Sequence, residues 1–259
     1  MNNHNTSVHI LNHLRLEDYF YSSISQIHQH VSEHVWAYVT GINSPLFNFL
    51  LVTKDDPSVG KALETGIRLM EERCEQPFSI VTAGGYKHIQ EMSSQAGFVY
   101  DTESLLISMR LDLENWQIED SLHSEHDVRC VNHCLVDWAT PIGNAFNVGQ
   151  DIESQYQKCH EAALLAGKQF QHYALYVDEK PVSAITLSRV KDRARLDDLG
   201  TLVDMQGKGY ATALMRHVLS ESKRQGVKEW YLDGVPARCP SYARMGFNPL
   251  FKHYAFFRE

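Results

Sequence analysis

The sequence predicts an α/β (α+β) layered fold with mixed strand directions, built in two parts. Three observations carry that expectation. Apolar and β-branched runs alternate along the chain with segments of helical periodicity. An acidic, polar and unpatterned stretch, LDLENWQIEDSLHSEHD, separates two such series and reads as a linker. The element order then repeats: Gly60 stands 37 residues before Gly97-Phe98, and Gly209 stands 37 residues before Gly246-Phe247. Ala62 and Ala211 match at the same offset, so duplication is the simpler reading. The expected organisation is a front domain over 1–113, a linker over 114–126 and a rear domain over 127–259.

In the front part, residues 14–33 carry apolar groups at helical intervals and predict a helix. The segments WAYVTGI and LFNFLLVT are rich in β-branched and aromatic residues, as strands are. Val59 to Cys74 reads as a helix, with Ala62, Ile67, Leu69 and Met70 as its apolar positions. FSIVT is a buried strand, Tyr86 to Gln95 a helix stopped by Gly97, and SLLISMRL another strand. The rear part opens with the short strand VRCV and helical patterns over Leu135 to Phe146 and Ile152 to Leu165. QHYALYV and VSAITLSRV flank the turn Asp178-Glu179-Lys180-Pro181, which reads as a hairpin. ARLDDLGTLV is a strand, followed by a glycine-rich turn and a helix from Tyr210 to Arg224. WYLDGV, the short helix CPSYARM ended by Gly246, and the strand HYAFFR complete the chain.

Composition excludes several function classes. Hydrophobic residues make 43% of the 259 and charged residues 22%, which rules out wholesale disorder. A net charge of −8 makes a poor general binder of nucleic acid, whose phosphates reward Lys and Arg. No apolar run approaches the roughly 20 residues that cross a bilayer, and the first residues lack the basic and apolar regions of a signal peptide. The five cysteines are scattered and odd in number, consistent with reduced thiols in a cytoplasmic protein.

The most informative segment is LGTLVDMQGKGYATALMRHVL, residues 199–219. A strand ends near Leu202 or Val203, and Gln206-Gly207-Lys208-Gly209 turn the chain into a helix. Glycines at 207 and 209 permit unusual backbone angles and close approach of a ligand. The first amides of a helix have no intrahelical acceptor, and its dipole adds partial positive charge there. Such a turn suits a phosphate or pyrophosphate; two glycines alone serve equally well as a tight strand-to-helix connection. Neither G-x-x-x-x-G-K-[ST] nor G-x-G-x-x-G occurs, which disfavours a P-loop and a dinucleotide fingerprint.

Gln206-Gly207-Lys208-Gly209-Tyr210-Ala211 fits the Q/R-x-x-G-x-G/A signature of the GNAT superfamily of N-acetyltransferases, and the surrounding strand-turn-helix resembles the family's acetyl-CoA site. Ser241-Tyr242-Ala243-Arg244-Met245-Gly246-Phe247 resembles its second signature, a tyrosine four residues before Gly. The resemblance covers roughly 127–259; residues 1–113 look like the degenerate front half of tandem members. There Pro57-Ser58-Val59-Gly60 replaces the glycine-rich turn and Ser93 stands in the place of Tyr242, which puts coenzyme binding by the front half in doubt.

The resemblance implies two GNAT-like domains, each a mixed, mostly antiparallel sheet flanked by helices. It implies an acetyl-CoA-dependent N-acetyltransferase in which a primary amine attacks the thioester directly in a ternary complex. Amides from Gly207 to Thr212 (Gly207, Lys208, Gly209, Tyr210, Ala211, Thr212), with Gln206, would hold the pyrophosphate. The strand at Leu199, Gly200 and Thr201 would run beside the pantetheine arm, and an amide near Thr201 or Leu202 would polarise the acetyl carbonyl. Tyr242 would protonate the departing thiolate. Asp197 and Asp198 are weaker candidates for the base; strand alternation would send one to each face, and pairing with Arg193 or Arg195 is the plainer role. A non-catalytic acyl-CoA-binding regulatory module is the alternative of another class.

Other features point to structure rather than chemistry. Cys130-Val-Asn-His-Cys134 lacks a second ligand pair at a zinc-finger distance. His28, His30 and His34 fall on or just past the predicted first helix, with 30 and 34 on one face and no visible third ligand, so no metal is expected. Trp138, Phe146 and Tyr156 are read as core or as the wall of an acceptor pocket. The expected partners are acetyl-CoA and an amine acceptor, small molecule or protein, without nucleic acid or membrane, in a monomer or homodimer.

Overall fold

Eleven strands form one sheet in the order β1-β2-β3-β4-β11-β5-β10-β9-β8-β7-β6. The structure is a computed structural model and describes residues 3–117 and 126–258, so most of the expected linker lies outside the described residues. In chain order the elements are α1 (Asn3–Ile24), β1 (Ile27–Ser32), β2 (Val35–Val39), β3 (Asn48–Val52), α2 (Pro57–Arg73), β4 (Ser79–Thr82), α3 (Lys87–Gln95) and β5 (Phe98–Asp112). After the linker come β6 (Asp127–Cys130), α4 (Val136–Ala145), α5 (Gln150–Leu165), β7 (Phe170–Val177), β8 (Lys180–Val190), β9 (Arg193–Thr201), α6 (Tyr210–Arg224), β10 (Glu229–Gly234), α7 (Cys239–Arg244) and β11 (Asn248–Arg258). The pairs β3–β4 and β9–β10 are parallel and all other neighbours antiparallel, the expected mixed and mostly antiparallel architecture.

The two sheets expected from the repeat join edge to edge into one. Strand β5, which follows Gly97, pairs with β10 of the rear half, while β11, which follows Gly246, pairs with β4 of the front half. The two travelling strands pair with each other, from Asn248 opposite Arg110 to Arg258 opposite Phe98. Exchanging 4 for 10 and 5 for 11 leaves the order β4-β11-β5-β10 unchanged when read backwards, as two copies of one unit would.

Helix α6 covers one face of the rear strands, burying Leu214, Met215, Val218 and Leu219 against Leu175, Ile185, Leu196 and Trp230. Helices α4 and α5 cover the other face, where Trp138, Ile142, Tyr156 and Ala163 meet Phe170, Ala174 and Ala184. Helix α1 reaches across both halves: Phe20 and Ile24 join that rear cluster, and Leu14 packs with Trp36, Tyr38, Phe49 and Leu51 of the front strands. Helices α2 and α3 close the opposite front face through Leu63, Ile67, Met70 and Ile89.

One predicted element is corrected. The helix expected over 14–33 begins by Asn3 and ends at Ile24; residues 27–32 form β1, antiparallel to β2 from Ile27 opposite Val39. The physical reason is cross-strand packing: His28 stacks on Tyr38 and His30 on Trp36, each with rings 15° from parallel. Tertiary pairing of this kind overrides a short helical pattern.

Candidate active site

Strands β9 and β10 run side by side only from Arg193–Leu196 opposite Glu229–Leu232. Beyond Leu196, β9 continues to Thr201 with β8 alone beside it, while Asp233 and Gly234 of β10 pair only with β5. A cleft therefore opens between the two parallel strands, bordered by the free edge of residues 197–201.

That edge is shaped by a bulge. Thr186 stands opposite Asp197 and Ala184 opposite Gly200, so Asp198 and Leu199 together face Ile185, and Asp198 takes a left-handed φ of 56°. The expectation that Asp197 and Asp198 point to opposite faces is corrected here, because the extra residue interrupts the alternation. Asp198 accepts hydrogen bonds from Tyr156 Oη and Thr186 Oγ1, each 2.8 Å. Thr186 in turn accepts from Trp138 Nε1 at 2.9 Å. Asp197 lies on the same side and binds Arg195 Nε at 3.0 and 3.1 Å. Burial pushes the Asp198 carboxyl up to about 6 against the pull of its two hydroxyl donors, and burial raises Asp197 further despite Arg195.

Past the bulge, Leu202 N–H donates to Val182 O at 2.9 Å. Of the two amides expected to face an acyl carbonyl, Leu202 is thus engaged in the sheet, and alternation turns the Thr201 amide toward the open edge. Gly200 has its own reason: a Cβ there would meet Ile142 Cα at 2.8 Å, so glycine lets α4 lie directly on β9. Asn144 of α4 also accepts from Val203 N–H at 2.8 Å, fixing the start of the turn. Sequence reasoning missed Asn144, whose only signal was a polar residue at the end of an apolar helix.

The chain then makes one 3-10 turn, Val203–Met205, and enters α6 through Gly207 (φ 77°) and Gly209 (φ 88°), both left-handed. Gly209 is the helix N-cap, and no side chain caps it. Among the described residues, no amide from Gly207 to Thr212 has a hydrogen-bond acceptor; the first helical bond is Ala213 N–H to Gly209 O, 3.0 Å. Nothing lies within 4 Å of a Cβ built at either glycine, so the cradle is open. Gln206 folds back instead, its Nε2 donating to Thr201 O at 3.1 Å, and Lys208 Nζ lies 3.2 Å from Met205 Sδ over the exposed turn. Tyr210 and Ala211 are half-buried and Thr212 is exposed in the first turn of α6.

The equivalent helix start in the front half is closed. Asp56 caps α2, accepting from Ser58 N–H at 2.9 Å and Ser58 Oγ at 2.7 Å, and these bonds hold its carboxyl down at about 2. A carboxylate of the chain itself fills the position an anion would take. Ser93 is buried with its hydroxyl donated to Ile89 O at 2.8 Å, so it has no proton to offer a ligand.

Tyr242 sits on α7 against the end of β10: a Cβ at Gly234 would stand 2.7 Å from its Cε2, and Phe247 meets its ring edge-on. Its hydroxyl donates to no group of the protein among the described residues, and burial raises its pKa above the usual phenol range. The phenol therefore stays protonated at neutral pH. Of the aromatic candidates, Trp138 is fully buried core, Tyr156 holds Asp198, and Phe146 is 59% exposed at the end of α4.

Behind the cleft lies a buried polar network absent from the sequence reading. Asp233 accepts from Arg195 Nη2 at 2.7 Å, Ser108 Oγ at 2.5 Å and His13 Nε2 at 3.0 Å. It ties α1, β5, β9 and β10 together. Arg195 holds the Asp233 carboxyl well below the carboxylate range, whereas burial drives His13 down to about 3 and keeps it neutral. Arg193 pairs with Glu229 instead of either cleft aspartate. A charged residue inside the buried run WYLDGV was the one sequence signal for this network.

Residues 135–247 match the Acetyltransferase (GNAT) family. The chain carries a GNAT acetyltransferase domain. Solved structures share the fold over most of the chain: a GCN5-related N-acetyltransferase from Kribbella flavida is similar at TM-score 0.66 and 11% identity, covering 95% of both chains. A functionally unknown conserved protein from Staphylococcus epidermidis gives 0.62 at 13% identity, over 92% of this chain and 97% of the other. A tandem GNAT protein from the clavulanic acid biosynthesis pathway gives 0.59 at 12% identity, over 86% and 77%. No curated protein matches the sequence. In this GNAT domain the family match begins at Leu135, just before α4, and ends at Phe247, so it takes in the bulge, the open turn and Tyr242. Among the described residues no helix is long and apolar enough to cross a membrane.

Proposed function

We propose that the chain is an acetyl-CoA-dependent N-acetyltransferase acting on a primary amine by direct attack in a ternary complex. The reading rests above all on the run of amides from Gly207 to Thr212 at the start of α6, which have no acceptor among the described residues. Such amides at a helix start fit a diphosphate. The capped α2 supports confining the coenzyme to the rear half, with 1–113 as a degenerate GNAT-like domain, 114–126 as the linker and 127–259 as the catalytic domain.

In this reading the free edge of Leu199, Gly200 and Thr201 lies along the pantetheine arm, and the Thr201 amide faces the acetyl oxygen as it gains charge. Acetyl-CoA supplies an acyl carbon activated by its thioester. Asp198 accepts a proton from the ammonium, directly or through one water, and the neutral amine nitrogen attacks that carbon. As the C–S bond breaks, Tyr242 gives its phenolic proton to the thiolate; the amide nitrogen sheds its surplus proton to solvent, which also reprotonates Tyr242 and takes up the proton held by Asp198. Asp197 is engaged with Arg195, so Asp198 is the base and Asp197 its electrostatic neighbour.

Release of coenzyme A thiol from acetyl-CoA, measured across a panel of polyamines, amino sugars and lysine peptides, tests the reading. Amine-dependent release with at least one acceptor class is expected. Tight coenzyme binding with no release for any amine would favour a regulatory acyl-CoA-binding module instead.

A further inference from the structure

The histidines of the first strand form a cluster that acetyl transfer does not use. His28 and His30 lie two residues apart on β1, at the edge of the sheet, and so project from the same face. That face is covered by the end of α1, which supplies Asp18. Both Nε2 atoms converge on one oxygen: Asp18 Oδ1 is 2.9 Å from His28 and 3.2 Å from His30. Asp18, ten and twelve residues away in sequence, is a third member that spacing could not reveal, and the expected His30–His34 face does not exist. His34 turns away, with Nδ1 3.1 Å from Thr53 Oγ1.

Three features distinguish this arrangement from an incidental ion pair. First, the rings are held in place, His28 stacked on the buried Tyr38 and His30 on Trp36. Second, Asp18 Oδ1 is oversubscribed. Tyr38 Oη already donates to it at 2.7 Å, so two imidazole N–H groups would make three donors for two lone pairs, while Oδ2 accepts from none of the described residues. Third, the other ring nitrogens are available. Neither Nδ1 has a protein partner among the described residues, so each can carry the ring proton toward water and leave the Nε2 lone pair for an ion.

We infer that Asp18, His28 and His30 form a binding site for a divalent transition-metal ion, zinc in the first instance, clipping α1 to the edge strand. The three ligand atoms lie within 4.8 Å of one another. Metal bonds of about 2.0–2.2 Å place neighbouring ligands roughly 3.3 Å apart, so small side-chain rotations close the site. Two imidazoles and one carboxylate suit zinc over magnesium or calcium, which take oxygen ligands. The side chains are 24–45% exposed, so the ion keeps water in its remaining positions and can enter without unfolding.

The test is zinc titration of the full-length protein by calorimetry, alongside thermal melts with and without zinc. Wild type is expected to bind one ion that raises the Tm, since zinc favours the folded chain. The double variant His28→Ala/His30→Ala should lose that event or weaken it at least about tenfold, and His34→Ala should keep it. If the double variant melts too early to titrate, His30→Ala alone, at the most exposed position, takes its place. Binding that persists unchanged in these variants, as thiol ligation at Cys130 or Cys134 would, overturns the site, and so does an absence of binding in wild type. The outcome leaves the acetyl-transfer reading untouched, because none of these residues borders the cleft.

Discussion

Burial raises the pKa of both Tyr242 and Asp198, and the same direction of shift serves two different ends. Burial keeps the phenol protonated, as a donor must be, and holds the carboxyl near neutrality, where it can both take and release a proton. Tyr242→Phe should lower turnover by about 10–1000-fold with acetyl-CoA affinity nearly intact, read from kcat and from calorimetric Kd. Unchanged turnover removes Tyr242 from the chemistry. Asp198 must be ionised to accept a proton, so kcat/KM should rise with pH through about 6 and level off above it. Asp198→Asn should abolish that limb; a surviving limb at the same pH would assign it to another group. The motif that makes Tyr242 the candidate acid was legible from its place four residues before Gly246. The choice between Asp197 and Asp198 was not, because it depends on Tyr156 and Thr186, which only the fold brings alongside.

At the scale of elements, the β9 bulge and the turn into α6 form one device. The bulge brings both aspartates to one face, and the turn then leaves six amides without a partner among the described residues at the helix start. Gly209→Val is expected to weaken acetyl-CoA binding by tenfold or more while the protein still folds. The cause is the left-handed φ of 88° and a branched side chain entering the cradle, since the site itself has room for a Cβ. Normal coenzyme affinity in that variant would move the diphosphate elsewhere. Linear sequence exposed the turn because its glycines and the following helix are contiguous. It failed at β1, where the strand exists through stacking on Trp36 and Tyr38, and at the bulge, where pairing with β8 breaks the two-residue period.

For the whole molecule, the exchanged strands and the Asp233 network make the halves interdependent. Calorimetric unfolding should show a single transition with matching calorimetric and van't Hoff enthalpies. Two resolved transitions would mean that the halves fold alone. Arg195→Met leaves Asp197 and Asp233 buried without their cation and should cost about 3–5 kcal/mol in denaturant unfolding. A change below about 1 kcal/mol would show that the two carboxylates are protonated or hydrated already. The repeat in the sequence gives no sign that β5 pairs with β10 and β11 with β4, since reciprocal and self-contained pairing use the same residues.

Strand β11 follows every rear-half element in sequence, yet it pairs with β4 and extends the sheet begun by β1 to β4. During synthesis the first half must therefore wait, with the edge of β4 uncovered, until residues Asn248–Arg258 leave the ribosome. A nascent chain stalled before Asn248 would be prone to pair that edge with a neighbour, so synthesis through β11 is itself a requirement for solubility of the first hundred residues.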